Sequence, residues 1–463
     1  MSDSQIYVGL DIGTTSVKVL VCEDVKGRLK VIGVGEQPSG GLNRGVIVDI
    51  DKTAHSISKA VAQATAKSGT SIRKVIVGLP ANYLQMNQVH GMITVADQGQ
   101  PREIVNQDVI DVAHSTLSQS LPAEREVIDL VPRDFAVDQF RGIKDPRGMS
   151  GVRLELWATV YSGPKTIVHN AKKAVEQANL QLEDLVVGPI ATGFNILSDG
   201  EQDFGTVIMD LGAGQTTTSI IHDRQLKFAY VDPEGGNFIT KDISTVLNTS
   251  LKNAEKLKLD HGYADSPQAD ENVQLAVDVV GKTQPVNYTE QYLAEVIEAR
   301  VRQIMRRAKD KLDSINTPHL PGGVVLYGGV AGLPGIKQIA ADYFDGNVRV
   351  FIPDQMGIRR PSFANVLSLC MYESSLSDVD QLLKETVHDG DVIMSRHEEQ
   401  ENTVHTAPAP RKSRFFNHKP ESAEPAQPTP AAEPARNHEE SSDDDHKQSS
   451  KGRIKSFFSN FFD

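Results

Sequence analysis

The stretch that decides the fold is Ile6-Tyr-Val-Gly-Leu-Asp-Ile-Gly-Thr-Thr15, an apolar strand that ends in an aspartate and a turn of small residues. Two further apolar strands follow it, Ser16 to Val21 and Leu29 to Val34. The pattern recurs at Thr206 to Met209, which leads into Asp210-Leu-Gly-Ala-Gly-Gln-Thr-Thr217 and is again followed by strands, at 218–222 and 226–231. A repeated supersecondary unit of this kind predicts two similar α/β domains, each presenting one glycine turn.

The two turns carry residues suited to phosphate and magnesium. Glycine and small hydroxyl residues let backbone N–H groups converge on an anion, and an aspartate at the strand end supplies a hard oxygen for Mg²⁺. One turn alone would equally fit an ordinary hairpin, whereas two facing turns can clamp a polyphosphate. Lys18 either reaches back to the phosphate or is a surface lysine. We predict phosphate contacts from Gly13, Thr14, Thr15, Gly212, Ala213, Gly214, Gln215, Thr216 and Thr217, and magnesium ligation by Asp11 and Asp210.

A third motif lies in the second half of the chain. The apolar strand Val324 to Tyr327 leads into Gly328-Gly-Val-Ala-Gly-Leu-Pro-Gly335, and Pro334 is placed for the first turn of a helix that runs through Tyr343. Paired glycines allow the backbone to lie against a base or ribose, although a plain strand-to-helix turn has the same pattern. We predict adenosine contacts from Gly328, Gly329, Val330 and Gly332. A P-loop ending at Gly281-Lys-Thr283 is excluded, because Ala276 stands where its first glycine belongs.

Composition excludes several classes of protein. The chain has 463 residues, 48 Lys+Arg against 61 Asp+Glu, a formal net charge of −13 and only 6% aromatic residues. Such an acidic chain is a poor general nucleic-acid binder, because Lys and Arg neutralise the phosphates. Two cysteines, Cys22 and Cys370, cannot build a disulfide framework, which indicates a reducing compartment. The absence of a secretion signal and of an apolar run of about 20 residues predicts a cytosolic chain unless another feature ties it to a surface.

The C-terminal region supplies such a feature. Residues Ser395 to Ser450 are rich in Pro, Glu, Ser and Asp, which predicts a disordered tether. The final segment KGRIKSFFSNFFD is predicted to be an amphipathic helix that binds an anionic membrane surface. Docking onto the body or onto a partner protein is the alternative, and the shorter patch at 411–416 fits either the same surface or a solvated charge run. The apolar face comprises Ile454, Phe457, Phe458, Phe461 and Phe462, and the basic residues are Lys451, Arg453 and Lys455.

Together the three motifs resemble the two phosphate loops and the adenosine loop of the actin-like ATPase superfamily. Longer stretches, covering about residues 5 to 375, narrow the resemblance to the FtsA family of bacterial cell-division proteins. These stretches are Phe135-Ala-Val-Asp138, Gly142-Ile-Lys-Asp-Pro-Arg-Gly-Met-Ser-Gly-Val-Arg-Leu-Glu155, Gly235-Gly-Asn-Phe-Ile-Thr-Lys-Asp-Ile243, Ala254-Glu-Lys-Leu-Lys258 and His261-Gly-Tyr-Ala264. A terminal basic-aromatic helix on a variable tether is also the arrangement of that family.

The resemblance implies an α/β, actin-like duplicated ATPase fold with an inserted 1C-type subdomain. The implied parts are subdomain 1A (1–81 and 163–203), the insert 1C (82–162), 2A (204–240 and 313–394), 2B (241–312), the linker (395–450) and the membrane-targeting helix (451–463). Members of the family bind ATP with Mg²⁺, polymerise into actin-like filaments and hold the FtsZ ring at the cytoplasmic face of the membrane, at the division site, where other division proteins join them. The FtsZ C-terminal tail docks on 2B.

Four further residues take their expected roles from the resemblance. Arg300 and Arg302 lie on a helix predicted from Tyr288 to Ile315 and would contact the FtsZ tail, although a basic helix face is also common as a solvated face. Glu255 and Lys258 correspond to ribose and base contacts; the alternative is an exposed ion pair of small energy.

Two positions depart from the superfamily pattern. Gln215 stands where related ATPases commonly have Thr, and Gly188, in Val187-Gly-Pro-Ile-Ala-Thr192, stands where chaperone-type relatives place a carboxylate that positions the attacking water. Hydrolysis needs such a group, so we expect ATP binding with weak or no turnover. A small-metabolite kinase of the same superfamily and a chaperone-like ATPase are the rival hypotheses, distinguished by phosphorylation of a metabolite and by peptide-stimulated turnover.

Overall fold

The computed structural model describes residues 5–118, 122–344 and 347–387. In chain order its strands are β1 (Ile6–Ile12), β2 (Ser16–Asp24), β3 (Leu29–Pro38), β4 (Leu42–Asn43), β5 (Val46–Ile47), β6 (Lys74–Leu79), β7 (Gln85–Thr94), β8 (Arg102–Glu103), β9 (Arg125–Val137), β10 (Phe140–Ile143), β11 (Ser150–Gly151), β12 (Arg153–Pro164), β13 (Gln181–Val187), β14 (Thr206–Leu211), β15 (Thr216–His222), β16 (Gln225–Asp232), β17 (Gln274–Val277), β18 (Val286–Thr289), β19 (Val324–Tyr327) and β20 (Val348–Val350). The helices are α1 (Ile50–Ser68), α2 (Asn106–Leu117), α3 (Lys165–Gln177), α4 (Gly188–Ile196), α5 (Asp199–Phe204), α6 (Gly236–Val246), α7 (Leu251–His261), α8 (Glu290–Ser314), α9 (Ile336–Ala341) and α10 (Ala364–Ser375).

Two five-stranded sheets form the framework, in the orders β13-β6-β1-β2-β3 and β16-β15-β14-β19-β20. Each contains three consecutive antiparallel strands, and the first of them pairs in parallel with a later strand, β1 with β6 and β14 with β19. The registers also match, since Asp11 lies opposite Lys18 and Asp210 lies opposite Thr217. The repeat predicted from the sequence is therefore confirmed at the level of strand order and register.

A third, four-stranded sheet has the order β10-β9-β12-β7 and is formed by strands between Gln85 and Pro164. It packs with α2 around its own buried core, which includes Phe135 and Leu156. Residues 378–387 are helical, and their Val379 and Leu383 complete that core. This sheet is thus a separate structural layer attached to the first five-stranded sheet.

A buried ion-pair cluster joins this third sheet to the first. Lys384 donates a hydrogen bond to Asp184 of β13 and lies 3.5 Å from the Oδ2 atom of Asp129 in β9. Burial raises the pKa of Asp129, whereas Lys384 opposes that rise. Because a buried charge is costly unless it is paired, this cluster fixes the helical segment 378–387 against both sheets.

Helix α10 covers one face of the first sheet with Val366, Leu369 and Cys370. It approaches closely at Gly9, where a Cβ atom would lie 2.7 Å from the carbonyl oxygen of Val366. Any larger residue at position 9 would push α10 away from the sheet. Cys22 and Cys370 are buried free cysteines.

Two helix boundaries differ from the sequence prediction. The prediction of a helix with Pro334 in its first turn that runs through Tyr343 is wrong at both ends, since α9 spans Ile336–Ala341. It starts later because Gly335 has a left-handed φ of 84° and cannot be a helical residue. The helix predicted from Tyr288 begins two residues later, since the Thr289 side chain caps α8 by accepting from the N–H of Tyr292 at 3.1 Å.

The tail predictions lie outside the described residues. They include the linker at 395–450, the patch at 411–416 and the amphipathic helix at 451–463, all of which stay predictions. Among the residues that the structure describes, no helix is long and apolar enough to cross a membrane.

Candidate functional site

The two glycine turns face each other across one cleft. A Cβ atom at Gly214 would overlap the Oγ1 of Thr14 and lie 2.8 Å from its Cγ2, so the turns touch where only a glycine fits. Thr14 is held in place because its Oγ1 accepts from the N–H of Gly45 at 3.0 Å. The cleft has a volume of about 1050 Å³ out to its open mouth, and residues from both five-stranded sheets line it.

Both turns use glycine for the same local reason. At Gly13 a Cβ atom would lie 2.8 Å from the carbonyl oxygen of Ser16, and at Gly212 the corresponding distance is 2.9 Å, to the carbonyl oxygen of Gln215. The start of α6 supports the second turn, since the N–H of Gly236 donates to the carbonyl of Gly212 at 2.9 Å. A tight turn without side chains on its inner surface is suited to binding an anion.

The first acidic residue of the cleft has a cationic partner. Lys18 lies opposite Asp11 in the β1–β2 register, and its Nζ is 3.6 Å from the Oδ2 of Asp11 and 2.7 Å from the Oγ of Ser16. Burial raises the pKa of Asp11, and the neighbouring ammonium opposes the rise. Lys18 is only 6% exposed and lines the cleft, so the structure excludes the surface-lysine alternative.

The second acidic residue has no such cation. Thr217 stands opposite Asp210, and the Nδ2 of Asn365 on α10 donates to the Oδ2 of Asp210 at 2.8 Å. Burial raises the pKa of Asp210 to about 6; the Asn365 hydrogen bond opposes this effect, and the charge of Asp11 adds to it. Asp210 is therefore a partly buried carboxylate whose ionised form would be stabilised by an added cation.

The donor set fits magnesium better than a metal that needs a full protein cage. Within the described ranges, no group of three or more His, Cys, Asp or Glu side chains could hold a metal ion by itself. Asp11 and Asp210 do line the same cleft and influence each other's ionisation. Magnesium keeps several waters and is commonly bound by one or two carboxylates together with substrate phosphates, so these two residues would hold it.

The predicted adenosine loop reaches the cleft at its first two residues. Gly328 (φ 94°) and Gly329 line the cleft; a Cβ atom at Gly328 would overlap the Oδ1 of Asp210, whereas one at Gly329 would meet no atom within 4 Å. Val330 and Gly332 belong to a short 3₁₀ turn that follows. The open space beside Gly329 is compatible with a flat group, and direct contact with adenosine stays a prediction.

Glu255 and Lys258 lie behind the second turn rather than along the lining of the cleft. The buried Nζ of Lys258 donates to the carbonyl of Gly236 at 3.1 Å, to the Oγ1 of Thr240 at 2.8 Å and to the Oε2 of Glu255 at 2.7 Å. Burial lowers the pKa of Lys258, and Glu255 opposes that shift. Lys258 is thus not an exposed ion-pair partner: it supports the strand-to-helix junction at Gly236, and a base contact by either residue stays a prediction.

Several residues of the cleft escaped the sequence analysis. Asn365, Gly45 and Tyr327 are brought to it by the fold, and Asn82 contacts Gln215 from just outside the lining; the Oη of Tyr327 is 3.1 Å from the Oγ1 of Thr192. Only Tyr327 had a sequence signal, as the last residue of a predicted strand. Gly188 also lines the cleft, and a Cβ atom there would come no closer than 3.4 Å to its nearest neighbour, the carbonyl oxygen of Leu79.

The arginines predicted to contact the FtsZ tail are occupied by carboxylates of the same chain. Arg300 binds Asp242 at 2.6 and 3.0 Å and Glu234 at 2.9 Å. Arg302 binds Glu298 at 2.6 Å and Asp342 at 2.8 Å. An acidic peptide would have to displace these partners, and the docking role stays a prediction.

Similarity to known proteins is extensive at the level of sequence. The family model for "Cell division protein FtsA" matches residues 207–368, and the model for "SHS2 domain inserted in FTSA" matches residues 81–162. The chain is 47% identical to cell division protein FtsA of Enterococcus faecalis over 463 residues, which is 100% of both chains. It is 51% identical to the Enterococcus hirae protein (87% of this chain, 91% of that protein) and 40% identical to the Bacillus subtilis protein (80% and 84%).

Similarity to solved structures identifies the fold. The PilM–PilN type IV pilus biogenesis complex matches with a TM-score of 0.55 at 16% identity, covering 80% of this chain and 99% of that chain. MreB5 of Spiroplasma citri bound to ADP matches with a TM-score of 0.50 at 14% identity, covering 80% and 97%. Together with the matching insertion domain, these likenesses confirm the predicted fold, an actin-like α/β architecture that carries an SHS2 insert.

Proposed function

The chain belongs to the FtsA family of cell-division proteins, and on that premise we propose that it is an ATP-dependent scaffold at the division site. It polymerises into actin-like filaments, holds the FtsZ ring at the cytoplasmic face of the membrane and assembles there with other division proteins. The observation that carries the proposal is the convergence of two glycine turns, Asp11, Lys18 and Asp210 on one cleft. A cleft with this duplicated geometry suits a magnesium-bound polyphosphate.

Within the cleft each group has a distinct role in nucleotide binding. The turns at Gly13–Thr15 and Gly212–Gln215 hold the phosphates between them, with Thr217 beside the second turn and Lys18 adding a positive charge on one side. Thr216, also predicted to contact phosphate, is buried outside the lining of the cleft, and its Oγ1 donates to the carbonyl of Glu234 at 2.9 Å. Asp11 and Asp210 would hold magnesium, which would neutralise phosphate charge. The nucleoside lies toward Gly329, where a Cβ atom would meet nothing within 4 Å. The fold relative MreB5 was solved bound to ADP, which supports nucleotide binding by a protein of this fold.

Binding is better supported than hydrolysis. A catalytic water must be oriented and the developing charge stabilised. Gly188 lines the cleft. It stands where the resemblance to chaperone-type relatives places a carboxylate, and it has no side chain to orient a water. The nucleotide therefore serves mainly to set the state of the filament subunit, with weak or no turnover.

Membrane attachment is assigned to residues 451–463. Deletion of Gly452 to Asp463 removes all five apolar side chains of the predicted face and two of its three basic ones. We expect the truncated protein to remain in the supernatant when the full chain sediments with anionic liposomes. In a matched variant the four phenylalanines are changed to serine, and Lys451, Arg453 and Lys455 are kept. This variant separates insertion of apolar side chains into the bilayer from electrostatic attraction to its surface. Equal sedimentation of the truncated and full chains would show that another segment is the anchor.

We assign docking of the FtsZ tail to the region around Arg300, where an acidic peptide would replace the intramolecular carboxylate partners of the arginine. An acidic peptide would take over Arg300 from Asp242, so Arg300→Ala should abolish peptide binding and Asp242→Asn should strengthen it. Arg306 provides a control, since it is exposed on the same helix. Fluorescence anisotropy with a labelled FtsZ C-terminal peptide measures all three variants. Loss of binding in Arg306→Ala but not in Arg300→Ala would move the docking site to another face of α8.

A further inference from the structure

We propose that Asn82 and Gln215 form an amide latch that closes the nucleotide cleft and transmits its closure to the inserted four-stranded sheet. This inference rests on the proposed nucleotide-binding function, but it concerns side chains whose role that function does not specify. Gln215 was predicted to bind phosphate as part of the second turn. Its side chain instead reaches across the cleft to the opposite half of the molecule.

The contact is reciprocal. The Nδ2 of Asn82 donates to the Oε1 of Gln215 at 3.1 Å, and the Nε2 of Gln215 donates to the Oδ1 of Asn82 at 3.0 Å. Such a two-bond amide pair forms only when both side chains are coplanar and at one separation, so it is sensitive to small movements of either half. The two residues are 133 positions apart; Gln215 lines the cleft, and Asn82 directly follows Ala81, which lines it as well.

Gly45 fixes the Gln215 amide from a second side. A Cβ atom at Gly45 would lie 2.6 Å from the Cδ, the Nε2 and the Oε1 of Gln215 alike, so the amide lies flat against that glycine. Gly45 also donates to Thr14 of the first turn. A threonine at position 215 would be too short to make this contact.

Asn82 lies in the connection between the first five-stranded sheet and the inserted four-stranded sheet. Strand β6 ends at Leu79, the N–H of Leu84 donates to the carbonyl of Ala81 in a tight turn, and β7 begins at Gln85. Leu79, Pro80 and Ala81 line the cleft itself. The connection between the two sheets is therefore part of the wall of the nucleotide site.

Arg125 ties this connection to the inserted sheet. Its Nη2 donates to the carbonyl of Tyr83 at 3.0 Å and to the carbonyl of Ser162 at 2.5 Å, and its Nε donates to the Oγ of Ser162 at 3.2 Å. Arg125 begins β9 and Ser162 belongs to β12, so the turn after Asn82 is bonded to two strands of the insert. A chain of direct contacts thus runs from the second glycine turn to the inserted sheet.

The latch links nucleotide occupancy to the position of the insert. A polyphosphate held by both turns keeps Gly214 against Thr14 and so keeps Gln215 within reach of Asn82. When the cleft opens, both amide hydrogen bonds break together and the turn at 80–84 is released from the second domain. Occupancy of the cleft therefore restrains the first residues of the insert.

The test combines a double-mutant cycle with hydrogen exchange on the full-length protein. The variants are Asn82→Ala, Gln215→Ala and the double variant, with Gln107→Ala as control because Gln107 makes only an exposed hydrogen bond within α2. We expect each single variant to lose about five-fold in Mg-ATP affinity and the double variant to lose no more than a single one, because one shared contact is removed in each case. Segment 80–94 should exchange faster in both variants without nucleotide, and Mg-ATP should slow it in the wild type and in Gln107→Ala only.

Two results would overturn the latch. One is additive loss of affinity in the double variant; the other is wild-type exchange of segment 80–94 in Asn82→Ala and Gln215→Ala. Failure of the nucleotide proposal is distinguishable: the wild type would then bind no Mg-ATP, while the exchange of segment 80–94 in the free protein still decides whether the latch exists. Circular dichroism and thermal melting of each variant confirm that the measured species are folded.

Discussion

The two glycine turns have the same backbone and different electrostatics. Asp11 and Asp210 end equivalent strands, and each faces the residue seven positions later in an identical antiparallel register. At that facing position the first turn has Lys18 and the second has Thr217. One carboxylate thus has a cation of the protein 3.6 Å away, whereas the other has a hydrogen bond from Asn365 and a pKa raised to about 6.

Because of this difference, we expect the first turn to contact phosphate and the second turn to bind magnesium. The first turn brings a balanced ion pair that can contact a phosphate through Lys18. The second turn brings a partly buried carboxylate whose charge is opposed by burial and by Asp11 and is favoured by the Asn365 hydrogen bond and, more weakly, by Lys18. A divalent cation that binds with the nucleotide would compensate the negative charge of Asp210. Asp210 is therefore the residue that we expect to contribute most to magnesium binding.

The largest effect should come from forcing the two turns apart. In Gly214→Ala the new methyl group overlaps Thr14, and since a short β-branched side chain cannot swing aside, the turns must separate. We expect Mg-ATP affinity to fall on the order of 100-fold, measured by isothermal titration calorimetry. Gly200→Ala is the matched control, because a Cβ atom there meets nothing within 4 Å. Wild-type affinity in Gly214→Ala would mean that the turns need not touch.

Alanine substitutions of the residues that face the two aspartates, Lys18 and Thr217, should produce an intermediate effect on ATP affinity. Lys18→Ala removes the cation beside the phosphate and should weaken ATP binding about ten-fold, the size expected for a charge-assisted hydrogen bond. Thr217→Ala, at the corresponding position of the second turn, should change affinity by less than about two-fold. The same calorimetric titration compares them, and equal losses in the two variants would contradict the division of labour between the turns.

The last effect concerns stability without nucleotide or magnesium. Since the folded protein raises the pKa of Asp210 from 3.8 to about 6, it binds this proton more tightly than the unfolded chain does, and the free energy of unfolding falls as the pH rises through that window. Asp210→Asn does not titrate, so at pH 7 we expect it to be more stable than the wild type by up to about 3 kcal/mol, with the difference vanishing below about pH 3. Urea unfolding across pH measures this.

The sequence alone predicted the repeat, the strands around it and the convergence of the turns, because these follow from local patterns of apolar residues, glycine and aspartate. It could not predict Asn365 or Asn82, which reach Asp210 and Gln215 across 155 and 133 positions respectively, since such contacts arise only from the packing of distant elements. The helix after Pro334 was misplaced because nothing local reveals that Gly335 adopts a positive φ. The roles assigned to Glu255 and Lys258 came from the family resemblance. Nothing in the sequence indicated that the Lys258 side chain would be buried and would donate hydrogen bonds to three acceptors of the same chain.

The most direct test of a magnesium-bound nucleotide between unequal turns is the magnesium dependence of ATP affinity in the wild type and in Asp210→Asn. We expect Mg²⁺ to strengthen ATP binding to the wild type by more than about ten-fold and to change the ATP affinity of Asp210→Asn hardly at all, with Asp11→Asn falling between the two. An Asp210→Asn protein that gains as much affinity from Mg²⁺ as the wild type would contradict it.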